Sequence, residues 1–185
     1  MHWVALEWPH ELEDTVHAFV DTGVLDDHPF LGWGDGRVTA GHLAVLRALR
    51  AERPGFDWWC FDTASWATPG PGESPWTARD RVMADAVLDR HPGGGGLVVA
   101  GNAHTPLVEA TNGIPMGSRL ARARPGLRTV TIRYGQGHYY NLGARRFVHE
   151  RRPRPLGLSL QGGALVLGLP APTEATVLHR PEARG

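Results

Sequence analysis

Short apolar runs alternate with amphipathic stretches along the first 134 residues of the chain. Four runs are rich in β-branched or aromatic residues and have the length of buried strands. They cover residues 3–7, 56–62, 97–101 and 129–134. Segments with helical spacing of apolar residues run from Pro9 to Gly23, from Thr39 to Arg53, from Thr77 to Pro92 and around 116–122. This order predicts an α/β fold with a mostly parallel sheet flanked by helices.

The start of the third helix carries a capping pattern. Thr77 and Asp80 have the spacing of a capping box, in which a hydroxyl and an acidic group bond to backbone N–H groups of the first turn. The apolar positions that follow, from Val82 to Val87, supply a buried stripe. The sequence therefore predicts a helix that begins at Thr77, with Asp80 in its first turn.

The pattern changes after residue 134. Residues 145–155 are basic and rich in proline, and no element is predicted there. Two apolar runs, 156–160 and 164–169, flank a pair of glycines and predict a β-hairpin that extends one edge of the sheet. We expect a single α/β domain over residues 1–180 and a flexible tail over 181–185.

Each predicted strand leads into polar side chains. The strands end at or run into Glu7, Asp62, Asn102 with His104, and Tyr134 with His138. The carboxyl ends of parallel strands share one edge of a sheet, where open α/β sheets bind ligands. A carboxylate beside an imidazole can activate water as a general base. Loops that follow strands are usually polar, so the alternative interpretation is that these side chains have no shared function.

Composition narrows the functional classes. Arginine plus lysine and aspartate plus glutamate both total 19, so charge gives no reason to expect nucleic acid or an anionic membrane as a partner. The chain has no lysine, which excludes Schiff-base chemistry on its own side chains. No apolar run approaches the ~20 residues of a membrane span, and no secretory signal is recognised, so a cytoplasmic location is expected.

Common catalytic motifs are missing from the sequence. It has neither paired metal-binding histidines on a predicted helix nor a G-x-S-x-G elbow, and its glycine-rich segments lack the P-loop lysine. No metal site is therefore predicted. The single cysteine, Cys60, lies within an aromatic strand and is expected to be a buried apolar residue and not a nucleophile.

The segment WTARDRVMADAVLDRHPGGGGLVVAGNAHTPL, followed by PMGSRLARARPGLRTVTIRYGQG, resembles the erythromycin esterase-like family. That family belongs to a wider group with ChaN-like and Tiki/TraB proteins. The similarity covers roughly residues 3 to 140 and depends on the order of several short motifs. The matching positions are Arg79, Asp80, Met83, Asn102, Ala103, His104, Met116, Gly117 and Leu120. Upstream, the strands ending in Glu7 and Asp62 look like family strands that close with acidic residues.

The resemblance implies a hydrolase that opens an ester or lactone with water activated by histidine and glutamate. Glu7, His104 and Arg79 are the implied catalytic residues, Arg79 polarising a carbonyl or holding a carboxylate. Asp62, Asp80, Asn102, Tyr134 and His138 are the expected substrate-binding residues. The expected substrate is a small-molecule or peptide-like natural product, as in natural product biosynthesis or resistance. No cofactor is predicted, although a divalent metal or haem stays open.

The chain departs from the family at its beginning. Family members start with a strand leading into a Gly-Glu…His motif, and this chain starts inside the following strand, at MHWVALE. Three explanations stay open: a shortened chain start, a partner chain or second copy that completes the sheet, or a different use of the scaffold. The last includes a haem-like binding module that uses Tyr139, Tyr140, His138 and tryptophans, or substitution of the missing base by His2, His10 or His138.

Overall fold

A computed structural model describes residues 2–33, 37–63, 67–91, 93–111, 113–134, 136–141, 145–150, 156–161 and 164–169. Within these ranges the α-helices are α1 (Glu13–Thr22), α2 (Ala40–Glu52), α3 (Pro75–Arg90) and α4 (Met116–Ala123), and two short 3-10 helices cover His10–Leu12 and Pro29–Trp33. The strands are β1 (Trp3–Pro9), β2 (Asp57–Asp62), β3 (Gly96–Val99), β4 (Val130–Tyr134), β5 (Gln136–Asn141), β6 (Arg145–Glu150), β7 (Gly157–Gln161) and β8 (Ala164–Leu169). The expected tail over 181–185 lies outside the described residues.

The chain divides into two compact units. The first contains Met1–Glu13 and Gly55–Thr129, and the second contains Asp14–Pro54 and Val130–Gly185. The combination of helices and parallel strands confirms the predicted α/β class. Among the described residues, no helix combines the length and the apolarity that a membrane crossing requires.

The first unit contains a three-stranded parallel sheet with the order β2-β1-β3. All seven residues of β1 are buried, as expected for the central strand of a parallel sheet covered on both faces. Both sides of β1 are occupied by strands of this chain. A strand from a partner chain could therefore join this sheet only at the outer edge of β2 or of β3.

Aromatic and aliphatic side chains from the sheet, α3 and α4 form the core of the first unit. Trp3 and Trp59 pack with ring centroids 5.0 Å apart, and the indole N–H of Trp3 donates to the carbonyl of Gly93 at 3.2 Å. Met83, in α3, and Met116, at the start of α4, are almost fully buried in the same cluster. The core thus fixes α3 and α4 against the sheet.

The observed start of α3 corrects the capping prediction. The helix begins at Pro75, and Ser74 is its N-cap, with the Ser74 hydroxyl accepting from the Thr77 N–H at 3.2 Å. Proline suits the first helical position because its φ is already helical and its missing N–H needs no partner there. Asp80 is therefore in the second turn of α3, and its carboxylate is buried and bonded elsewhere.

The second unit contains α2 and the remaining strands. The N-cap of α2 is Thr39, as the sequence predicts. The C-terminal hairpin is also present, as the antiparallel pair β7 and β8, but the described neighbour of β8 is β4, in a separate three-stranded sheet. A further antiparallel pair, β5 and β6, falls in a region where the sequence predicted no hairpin.

Candidate functional site

Glu7 lies near the carboxyl end of β1 and connects three segments. Its side chain is about 10% exposed. The Arg79 Nη2 group donates to its Oε1 at 3.0 Å, and the Gly101 N–H donates to its Oε2 at 2.6 Å. Because β1 lies between β2 and β3, this carboxylate reaches both α3 and the loop after β3. Both oxygens are held, so Glu7 has a fixed orientation.

Arg79 joins the ends of β1 and β2 from α3. Its Nε donates to Asp62 Oδ1 at 3.1 Å and its Nη2 to Asp62 Oδ2 at 2.6 Å, a bidentate pair. Asp62 is 1% exposed, and Arg79 is its charged partner in that position. Burial alone would lower the pKa of Arg79, but the hydrogen bonds and negative charges of Asp62 and Glu7 raise it above its ordinary value. Arg79 therefore stays charged and holds two carboxylates.

His104 is the buried imidazole of the site. Its Nδ1 lies 2.7 Å from Asp80 Oδ1, which also accepts the Met116 N–H at 3.0 Å. An ionised carboxylate only accepts, so Nδ1 carries a proton. Nε2 lies 3.5 Å from Glu7 Oε1. The imidazole is thus held between two carboxylates, with its tautomer fixed by Asp80.

The turn that carries His104 is attached to the beginning of α4. The His104 N–H donates to the Gly101 carbonyl at 3.0 Å, closing the turn, and the Gly117 N–H donates to the His104 carbonyl at 2.8 Å. A Cβ at Gly117 would lie 2.5 Å from the Thr105 carbonyl oxygen and 2.7 Å from that of Pro106. Glycine is required here because the backbone of the turn lies directly against the helix.

Gly117→Ala should therefore lower the free energy of unfolding by about 1–3 kcal/mol, because backbone atoms must move to admit the methyl group. Urea unfolding followed by tryptophan fluorescence measures the loss. Gly41→Ala is the matched control: Gly41 is also the second residue of its helix, and its Cβ would meet only the Thr39 hydroxyl at 3.6 Å. That variant should be neutral or more stable by up to ~1 kcal/mol. Equal effects of the two substitutions would contradict the steric argument.

Trp76 is a site residue that the sequence analysis did not single out. Its ring centroid lies 6.0 Å from that of His104, and the residue is 50% exposed. It lines an open groove with Ala67, Thr68, Pro69 and Pro75. Its position three and four residues before Arg79 and Asp80 places it on the same face of α3. That spacing is the signal that could have identified it.

Among the described side chains of this site, three are carboxylates and one is an arginine. Glu7, Asp62 and Asp80 are carboxylates, whereas Arg79 is the permanent cation and His104 adds a positive charge only when protonated. The carboxylates face N–H donors of the protein, and within the described ranges no cluster of three or more histidine, cysteine, aspartate or glutamate residues could hold a metal ion.

The remaining predicted site residues are Asn102, Tyr134 and His138. Asn102 is exposed, and the contact described for it is the Thr105 hydroxyl donating to its carbonyl at 3.3 Å. Tyr134 ends β4, and His138 lies in β5 opposite Val148, both in the second unit. Their side chains are not among those described.

Cys60 does not belong to the reactive groups. It is 3% exposed within β2, which confirms the prediction that it is a buried residue. Burial, and then the negative charge of Glu13, raise the pKa of its thiol far above its ordinary value. The Cys60 thiol is therefore not expected to act as a nucleophile. No family model, curated protein or solved structure matches the chain.

Proposed function

We propose that the chain is an esterase-like hydrolase that cleaves an ester or lactone of a small-molecule or peptide-like natural product. The observation that carries the proposal is the pairing of His104 Nδ1 with the buried Asp80 carboxylate at 2.7 Å, which leaves Nε2 as a base. A carboxylate-held imidazole is a common means of activating water at neutral pH.

In the proposed reaction, His104 Nε2 takes a proton from water as the water oxygen attacks the carbonyl carbon. The tetrahedral intermediate then collapses, the bond to the leaving oxygen breaks, and that oxygen is protonated to give an acid and an alcohol. Asp80 and Glu7 stabilise the imidazolium that forms, because both carboxylates lie beside its ring. Arg79 keeps Glu7 in place through the 3.0 Å hydrogen bond to Oε1.

Water is the proposed nucleophile because of what surrounds the imidazole. Among the described residues, the polar side chains paired with His104 are the carboxylates of Asp80 and Glu7, and neither a serine nor a cysteine is in contact with it. Ser118, the serine of the MGSRL segment, is 2% exposed within α4.

A cytoplasmic setting is part of the proposal, consistent with a single cysteine that has no partner for an internal disulfide.

Haem binding is not favoured by a described contact. That alternative depends on His138, Tyr139 and Tyr140, whose side chains lie outside the described set. The hydrolase proposal, in contrast, depends on side chains that are all described.

The proposal predicts that the purified chain hydrolyses members of a panel of macrolactones and simple esters, detected as the gain of one water in the product mass. His104→Gln should reduce the rate by a factor of about 100 or more, the usual contribution of a general base. His2→Gln, which removes an exposed histidine before the opposite end of β1, should keep the wild-type rate. Wild-type inactivity on the whole panel, or equal rates in His104→Gln and wild type, would overturn the proposal.

A further inference from the structure

His10 is a second imidazole with a fixed tautomer. It follows β1 directly, and its side chain is 61% exposed. Its Nδ1 lies 3.2 Å from the Asp62 backbone carbonyl oxygen and 3.4 Å from Glu11 Oε2. A carbonyl and an ionised carboxylate only accept hydrogen bonds, so Nδ1 carries a proton. Proton exchange with a substrate would therefore take place at Nε2.

Asp62 connects His10 to the buried network. Its backbone carbonyl accepts from His10, while its carboxylate binds Arg79, which in turn binds Glu7 beside His104. His10 also lines an open groove at the carboxyl end of β2, together with Thr63, Thr68 and Arg81. The two imidazoles are thus held by one chain of contacts, one of them buried and one open to solvent.

The two positions suit two different proton transfers. His104 is buried and bonded to Asp80 through Nδ1, and in the proposed reaction it takes the proton of the attacking water. Hydrolysis of an alkyl ester also needs a donor for the leaving alkoxide, and that donor must reach the departing group. His10 is exposed, and its Nδ1–H is already bonded, which orients the ring.

We propose that His10 is the general acid of the reaction. This inference rests on the proposed hydrolase function. As the bond between the carbonyl carbon and the leaving oxygen breaks, that oxygen takes the proton from Nε2 of protonated His10. His104 retains the proton taken from water, and exchange with solvent then restores both imidazoles, so the net reaction consumes one water and yields an acid and an alcohol.

The test compares two esters of the same acid, butyl butyrate and 4-nitrophenyl butyrate. Butoxide needs a proton in order to leave, whereas 4-nitrophenolate is a stable anion and does not. In His10→Gln the rate on the butyl ester should fall about 100-fold more than the rate on the nitrophenyl ester.

Two further variants separate the possible failures. His104→Gln should lose activity on both esters, and His2→Gln should keep both rates. A wild-type chain that cleaves neither ester would overturn the hydrolase function and this inference together. A wild-type chain that cleaves both, with His10→Gln affecting the two rates equally or not at all, would overturn only the role of His10.

Discussion

Arg79→Met is expected to lower the free energy of unfolding by about 3–5 kcal/mol, because it removes the cation that binds two buried carboxylates. Asp62 is 1% exposed and binds Arg79 through both oxygens, while Glu7 is about 10% exposed and binds the same Nη2 group. Domains of this size are stable by only about 5–15 kcal/mol, so the variant should be marginally folded. Urea unfolding, followed by the fluorescence of the seven tryptophans, gives the value.

Arg81→Met is the matched control for this substitution. Arg81 lies on the same helix and also pairs with a carboxylate, that of Glu73, but its side chain is 37% exposed. Exposed ion pairs contribute little, so the control should lose much less stability than Arg79→Met. A loss as large in Arg81→Met would show that helix α3 is sensitive to any arginine replacement and would contradict the buried-charge argument.

The contribution of Arg79 to the free energy of unfolding should not change between about pH 7 and pH 10. Its folded-state pKa is raised, with Asp62 and Glu7 outweighing the effect of burial. A group whose pKa is raised on folding contributes its full stability below the unfolded pKa, and that contribution is lost as the pH rises through the folded value. The ordinary pKa of arginine lies far above pH 10, so the difference in the free energy of unfolding between wild type and Arg79→Met should be constant from about pH 7 to pH 10.

The strands of the first unit could be predicted because their signal is local. Strand β1 contains the apolar run at 3–7, and β2 covers all but the first residue of the run at 56–62. The helices between the strands predict that the strands are parallel, as they are. Convergence of Glu7, Asp62 and His104 at one edge follows from the same order, since parallel strands end on the same side. Hydrophobic periodicity therefore carries most of the information about the site's position.

The partners of Asp80 and Arg79 could not be predicted from the sequence, because they are contacts between residues far apart in the chain. The Thr77 and Asp80 spacing fits a capping box, but Asp80 is used instead by Met116 and His104, which lie 36 and 24 residues away. The resemblance implies that Arg79 polarises a carbonyl or holds a carboxylate, and the carboxylates that its Nε and Nη2 groups bind are those of Asp62 and Glu7. Periodicity gives the face of a helix on which a residue lies, but not which distant group meets it.

The hairpin of β5 and β6 shows a second kind of limit. Segment 145–155 is basic and rich in proline, which argues against a strand, yet Arg145–Glu150 pairs along its full length with β5. An arginine-rich strand carries no alternation of apolar and polar residues from which to recognise it. Cross-strand pairing, which involves the partner strand as much as the segment itself, stabilises such a strand.

Asp80→Ala and Asp80→Asn should separate the structural role of Asp80 from its charge. A single oxygen, Oδ1, accepts from both His104 Nδ1 and the Met116 N–H. Alanine leaves two buried donors without this acceptor, which should lower the free energy of unfolding by about 2–6 kcal/mol at roughly 1–3 kcal/mol for each donor. Asparagine can place a neutral carbonyl oxygen at the same position and keep both hydrogen bonds, so its loss of stability should be about 1 kcal/mol or less.

The rate of hydrolysis should depend on the negative charge of Asp80, even in a variant that keeps the fold. The negative charge of Asp80 stabilises the imidazolium that His104 forms in the proposed reaction, and asparagine cannot supply it. Asp80→Asn should therefore fold nearly as wild type yet hydrolyse the preferred ester about 100-fold more slowly, in kcat more than in KM. The urea midpoint and the steady-state rates are measured on the same preparation. Full activity in a stable Asp80→Asn variant would show that the Asp80 carboxylate only anchors α4 to the His104 turn. Its negative charge would then have no part in the reaction.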